Sequence, residues 1–327
     1  MPRILLLLSC ILFLSQSSFV DDIEYLTEIN NNVVIGIFTQ PSDPDYVDYP
    51  SSQYSYLAAS YVKFVEMAGA RVVPIPYEAD NTILEKYFLG INGIIIPGGA
   101  SDLDTPTGPS KFAKAVAYMV NRALQVNEAG EVFPVFGICM GFQTLHYIIS
   151  GYKTPFLYRV YGENGISHSL ENGDRNFALY KDFDDDTYQA IQTNQYLYYS
   201  HNWGVSPDLY KKYPSLDAFF KITGTNQDNK GQTFVASMQG KQHPVFGVQY
   251  HPEKNIFEWK ISAPHSYLAV KVSANHIDAF VNYARLNSHQ FNAEQLNKAV
   301  IYNFKTVQEK NASFVQVYFF KNGELSL

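Results

Sequence analysis

Four short and almost wholly apolar runs constrain this chain more than any other feature. Residues 32–38 (NVVIGIF), 71–75 (RVVPI), 91–96 (INGIII) and 132–138 (VFPVFGI) lack the apolar–polar alternation of a strand with one wet face. Runs of this kind read as strands covered on both sides. Helical periodicity fills the gaps between them, at residues 55–68 (stopping at Gly69), 80–89 and 109–127, and again from Met140 to about Ile149. Strand alternating with helix predicts an α/β fold, a three-layer sandwich around a central, mostly parallel sheet.

The order is less regular further on. Residues 171–186 are polar and acidic and read as loop, and residues 190–200 read as a strand before His201-Asn202-Trp203. Residues 219–225, 234–238 and 245–250 read as sheet strands, followed by a helix from about Ser266 to Asn287. A late strand at 313–320 is expected to pair back onto the body. No repeat, low-complexity tract or Gly/Ser linker divides the chain, so residues 19–327 are expected to form a single domain.

Residues 1–18 read as a signal peptide. A basic start (Met1-Pro2-Arg3) leads into an apolar run, residues 4–14, and then into Ser15-Gln16-Ser17-Ser18, with cleavage expected after Ser17 or Ser18. About eleven apolar residues are too few to cross a ~30 Å hydrocarbon core. No later stretch reaches ~18 apolar residues, so no membrane association is expected. Cys10 lies in the leader, which leaves Cys139 as the lone cysteine of the mature chain. That excludes an internal disulfide and structural zinc held by thiolates. The formal net charge is −7, with no Lys/Arg-dense stripe, which argues against a nucleic-acid partner. An aromatic content of 15% excludes a disordered chain.

The chemistry concentrates around Cys139. In residues 133–143 (FPVFGICMGFQ) an apolar strand runs into a cysteine flanked by Gly137 and Gly141, and a helix starts at once. This is the thiol counterpart of the nucleophile elbow, with helix N–H groups aimed at the sulfur. A free cysteine is more often an inert core residue. A nucleophile also needs a base and an orienting group. Residues 248–253 (VQYHPE) place His251 and Glu253 at the end of another strand, in the roles of base and orienting carboxylate. Carboxyl ends of strands are where open α/β sheets gather their sites. Residues 94–99 (IIIPGG) end a third strand, where the N–H of Gly99 would join that of Met140 as an oxyanion hole; the alternative is a plain tight turn. The combination reads as acyl transfer from an amide to a thiolate. His201, His243, His251, His265 and His276 show no compact metal-ligand spacing, and Gly98-Gly99 is no nucleotide-binding fingerprint. No metal and no cofactor are expected.

With these motifs the sequence resembles the gamma-glutamyl hydrolases (folylpoly-gamma-glutamate hydrolases) of the class I glutamine amidotransferase-like superfamily. The likeness runs through residues 35–41 (IGIFTQP), 55–66 (SYLAASYVKFVE), 92–99 (NGIIIPGG), 136–143 (FGICMGFQ), 201–203 (HNW), 247–254 (GVQYHPEK) and 313–320 (SFVQVYFF). The Cys and HPE segments are shared across glutamine amidotransferases; the start at residues 36–41 (GIFTQP), the run after HPEK into Phe257-Glu258-Trp259 and the region of His201 are more particular to the hydrolases. The resemblance implies Cys139 as nucleophile, His251 as general base and acid, Glu253 orienting His251, and His201 helping to bind the glutamate part of the substrate. It implies hydrolysis of gamma-glutamyl bonds in folate and antifolate polyglutamates through a thioester. It also implies a lysosomal, vacuolar or secreted location and a possible homodimer. A sequon at Asn311 is a candidate glycosylation site. A polyanionic substrate would need a local cationic group against the acidic overall field, and Arg159 and Lys254 are the candidates.

Overall fold

A computed structural model describes residues 29–154, 156–308, 314–325 and 327. The expected leader, its cleavage site, Asn311 and the start of the expected late strand at Ser313 lie outside the described residues.

The central sheet has seven strands: β1 (Val34–Phe38), β2 (Arg71–Ile75), β3 (Gly93–Ile96), β4 (Val135–Ile138), β5 (Phe220–Gln227), β6 (Thr233–Gly240) and β7 (Val245–Val248). Their order is β5-β6-β7-β4-β3-β1-β2. The four pairings from β7 to β2 are parallel, and β6 and β5 add an antiparallel edge. Successive side chains of each strand go to opposite faces. On β1, Ile35 and Ile37 enter one apolar cluster while Val34 and Phe38 enter the other; on β3, Ile95 parts from Ile94 and Ile96 in the same way. Both clusters are buried, which accounts for the absence of polar alternation in these runs.

Helices α1 (Ala59–Met67) and α5 (Tyr267–Ala284) cover the first face. Helices α2 (Asn81–Phe88), α3 (Lys111–Glu128) and α4 (Met140–Ile149) cover the second. Their starts are set by side-chain caps: Asp80 accepts from the N–H of Ile83, Ser110 from Ala113 and Ser266 from Ala269. Gly69, at φ +79°, lets the chain leave α1 in a conformation that other residues rarely adopt. Among the described residues, no helix is long and apolar enough to cross a membrane.

Two expectations need correction. The helix read over 55–68 begins only at Ala59, because Tyr54–Ala58 is a strand held between Gln40–Pro41 and the late strand Val317–Lys321. The local pattern YSYLA suits either period, and a distant partner decides it. Residues 190–200 are likewise divided. Asp184 caps a helix over Asp185–Thr193, and the strand is only Leu197–Ser200, paired with Asn164–His168 outside the central sheet. The short helices Asp208–Lys212, Pro214–Phe219 and Ala293–Ala299 were not legible by periodicity, being two turns or fewer.

Two core histidines make the scaffold acid-sensitive. His146 on α4 puts Nδ1 on the Phe142 carbonyl at 2.9 Å and Nε2 on Tyr210 Oη at 2.8 Å. His276 on α5 does the same with Val272 and Tyr250, at 2.7 and 2.8 Å. Burial disfavours the charged imidazole and pushes each pKa down to about 4. Between pH 6.5 and 4 the unfolded chain therefore binds more protons, and stability is lost as the pH falls. Urea unfolding at pH 7 and pH 5 should show a loss of roughly 3–4 kcal/mol from this pair. Equal stability at the two pH values would contradict the assignment.

Candidate active site

Cys139 is the residue between β4 and α4, and its backbone is strained, with φ 52° and ψ −107°. For a residue with a Cβ that conformation costs about 1–3 kcal/mol and persists only where the surroundings enforce it. They do so by close backbone contact. A methyl at Gly141 would stand 1.9 Å from the carbonyl oxygen of Ile96, and one at Gly137 would stand 2.7 Å from the backbone of Gly141. The N–H of Cys139 donates to the carbonyl of Val248 at 2.8 Å, which ties the turn to the end of β7.

His251 leaves the sheet just beyond β7, its N–H donating to the Tyr198 carbonyl at 2.8 Å. The ring is 3% exposed and its Nδ1 lies 2.7 Å from Glu253 Oε1, itself fully buried. Gly98 shows how near the histidine is to the thiol. A methyl there would lie 2.7 Å from His251 Cε1, 2.8 Å from Tyr61 Oη and 3.0 Å from Cys139 Cβ. Three side chains from three elements thus converge on the space that one glycine leaves empty. Burial and the neighbouring Lys254 pull the His251 pKa down, but Glu253 and Cys139 outweigh them and the net shift is upward. The Cys139 thiol meanwhile makes a long contact, 3.8 Å, with the Ser200 carbonyl.

Tyr61 was not singled out from the sequence, because on α1 it occupies an ordinary core position. Its hydroxyl accepts from the N–H of Gly98 at 2.8 Å and lies 3.4 Å from His251 Nδ1. It therefore links the Pro97-Gly98-Gly99 loop to the imidazole. Gln40 holds the same loop from the other side, donating from Nε2 to the Gly98 carbonyl at 2.7 Å. Both residues lie in segments that carry the family resemblance, 35–41 and 55–66, but nothing local marks either role, since each depends on where a distant loop comes to rest.

Gly99, Met140, Cys139 and His201 line one cavity of about 680 Å³, together with Gln143 and Trp203. Met140 is the first residue of α4, and the first N–H groups of a helix have no partner inside it. His201 is 6% exposed, and its Nδ1 lies 2.8 Å from the Trp203 carbonyl. A carbonyl can only accept, so Nδ1 carries the proton and Nε2 is an acceptor. That Nε2 is buried without a hydrogen-bond partner among the described residues. Burial pushes the pKa of His201 down to about 3, with His251 and His168 adding to the effect. Gln143 Nε2 donates to the same Trp203 carbonyl at 2.8 Å and to Gln249 Oε1 at 3.1 Å, fastening the loop to α4 and β7.

The two basic candidates part company here. Lys254 is 5% exposed, with its ammonium over the rings of Tyr198 and Phe314 at 5.3 and 5.4 Å, and it does not line the cavity. Arg159 does not line it either, but it is exposed and stands 5.7 Å from the ring of Trp203, which does. Among the described residues, no group of three or more His, Cys, Asp or Glu is placed to hold a metal ion.

Comparison with known proteins agrees with this architecture. The family described as "Glutamine amidotransferase class-I" matches residues 47–263. The chain is 33% identical to gamma-glutamyl hydrolase B of Dictyostelium discoideum, over 92% of this chain and 86% of that one. It is 34% identical to gamma-glutamyl hydrolase 1 of Arabidopsis thaliana, over 85% and 79% of the two chains. It is 36% identical to the gamma-glutamyl hydrolase of Mus musculus, over 81% and 83%.

The convergence on Gly98 can be probed without a substrate. A Gly98→Ala methyl would stand 2.7 Å from His251 Cε1 and 3.0 Å from Cys139 Cβ, so it disturbs the contact between the imidazole and the sulfur, and the reactivity of a cysteine depends on such neighbours. Alkylation of Cys139 by iodoacetamide near pH 6.5 should slow about tenfold. An unchanged rate would show that the two side chains do not act on one another.

Proposed function

Because the chain belongs to the gamma-glutamyl hydrolase family within the class I glutamine amidotransferase-like proteins, we propose that it hydrolyses gamma-glutamyl bonds in folate and antifolate poly-gamma-glutamates with Cys139 as nucleophile. The observation that carries this reading is the meeting of Cys139, His251 and Tyr61 at Gly98, beside a cavity lined by Gly99 and Met140.

The Cys139 thiolate adds to the gamma-carbonyl carbon, and the N–H groups of Gly99 and Met140 receive the developing oxyanion. His251 gives its proton to the departing amine as the C–N bond breaks, leaving a gamma-glutamyl thioester. His251 then takes a proton from water, whose oxygen attacks the thioester. The gamma-carboxylate is released and the sulfur leaves as thiolate. Glu253 keeps the imidazole in one tautomer and supports its positive charge, the role of the orienting acid in a triad. His201, neutral and with Nε2 free to accept, takes an N–H from the glutamyl part of the substrate rather than pairing with a carboxylate.

The test is product analysis by mass spectrometry after incubation with folate pentaglutamate, with free glutamine as a second substrate. Shortened folates from the wild type and none from Cys139→Ala are expected. Intact pentaglutamate from a well-folded wild-type protein would overturn the proposal. A pH profile supplies an independent check. Glu253 raises the His251 pKa, so Glu253→Gln should lower it, and the fall in rate on the alkaline side should move to lower pH by about one unit. An alkaline limb that stays in place would remove Glu253 from its role.

A further inference from the structure

We propose that Arg159, held on the face of Trp203, binds the α-carboxylate of the glutamate released by cleavage and so decides which way the substrate lies in the cavity. This rests on the function proposed above and adds a residue and a direction to it.

Tyr158–Arg159 and Trp203–Gly204 form a two-stranded antiparallel ribbon in which Arg159 and Trp203 are directly opposed. Trp203 is 49% exposed and lines the cavity that contains Cys139, and the Arg159 guanidinium sits 5.7 Å from its ring centre. The stacking fixes the cation without spending any of its hydrogen-bond donors, so the planar fork is left for a ligand. No carboxylate lies within ion-pair distance of Arg159 among the described residues.

The cavity lining itself carries the other sign. Asp102 and Asp104 belong to it and are exposed, Asp104 accepting from Tyr147 Oη at 2.7 Å. Near Tyr158, Glu163 is buried 2.8 Å from His168 Nε2, and Asp228 is buried and accepts from the N–H groups of Tyr161 and Gln232. Lys254 is shut behind aromatic rings. The cavity lining is therefore acidic along residues 102–104, and Arg159, outside the lining but against Trp203, is a cation beside it, unpaired among the described residues. Each glutamate of a gamma-glutamyl oligomer carries a free α-carboxylate, and the terminal one that leaves carries its γ-carboxylate too, so the leaving side is the more anionic; like charges side by side are unfavourable where opposite ones attract. The carboxylate-bearing leaving side accordingly points to Arg159.

Two substrates separate this from a general effect on the fold: a gamma-glutamyl-glutamate peptide, whose leaving group is anionic, and gamma-glutamyl-p-nitroanilide, whose leaving group is uncharged. For Arg159→Gln we expect KM on the peptide to rise about three- to fivefold with kcat little changed. The same variant should shift KM on the anilide less than twofold. Arg159→Lys should recover part of the loss, and salt at ~0.5 M should erase the wild-type advantage on the peptide alone. Equal changes on both substrates, or no change on the peptide, would overturn the assignment of Arg159 while leaving the hydrolase reading intact. Turnover of neither substrate by the wild type would overturn that reading and this inference with it.

Discussion

The backbone of Gly141 lies against the carbonyl of Ile96 at a separation that no side chain would permit. This contact joins the end of β3 to the first turn of α4, and the geometry of the site hangs on it. With the first turn of α4 pressed onto β3, Cys139 is forced into positive φ between β4 and the helix. The same closeness draws the Pro97-Gly98-Gly99 loop alongside the elbow. Gly98 then supplies the room in which His251, Tyr61 and Cys139 approach one another. Strain of about 1–3 kcal/mol at Cys139 is offset by the buried residues Phe142, Leu145 and Tyr147 that α4 packs under the sheet.

What was legible in the sequence is what is set locally. The strands of the parallel core announce themselves because both faces are buried, and the glycines around Cys139 because only glycine fits there. Asp80, Ser110 and Ser266 mark helix starts through bonds three residues long. The rest depends on partners far away in the chain. Tyr54–Ala58 is a strand only because Val317–Lys321 lies beside it. Tyr61 looks like packing until Gly98 and His251 arrive at its hydroxyl. Gln143 and Gln249 are unremarkable polar residues until the Trp203 carbonyl closes over them. Arg159 and Lys254 carried equal weight as cations in the sequence, and only burial against aromatic rings tells them apart.

The two histidines near Cys139 show how environment assigns chemistry to one residue type. His251 faces a carboxylate and a thiol, and gains enough from them to hold a proton despite full burial. His201 faces a carbonyl and apolar walls, gains nothing from charge, and stays neutral to about pH 3. One is thereby fitted to give and take protons, the other to accept a hydrogen bond, a division set by neighbours rather than by identity.

The same contrast has opposite consequences for stability. His251 has a raised folded-state pKa, so its stabilising contribution is complete below about pH 6.5 and is lost as the pH rises through the raised value. His201 has a lowered one. Like His146 and His276, it weakens the fold as the pH drops below about 6.5, by about 1.4 kcal/mol per unit until its own value is reached. Acid therefore preserves the charged imidazole beside the Cys139 thiol while loosening the scaffold that holds it. Under the proposed mechanism the range of useful pH would be bounded from below by the scaffold and from above by His251.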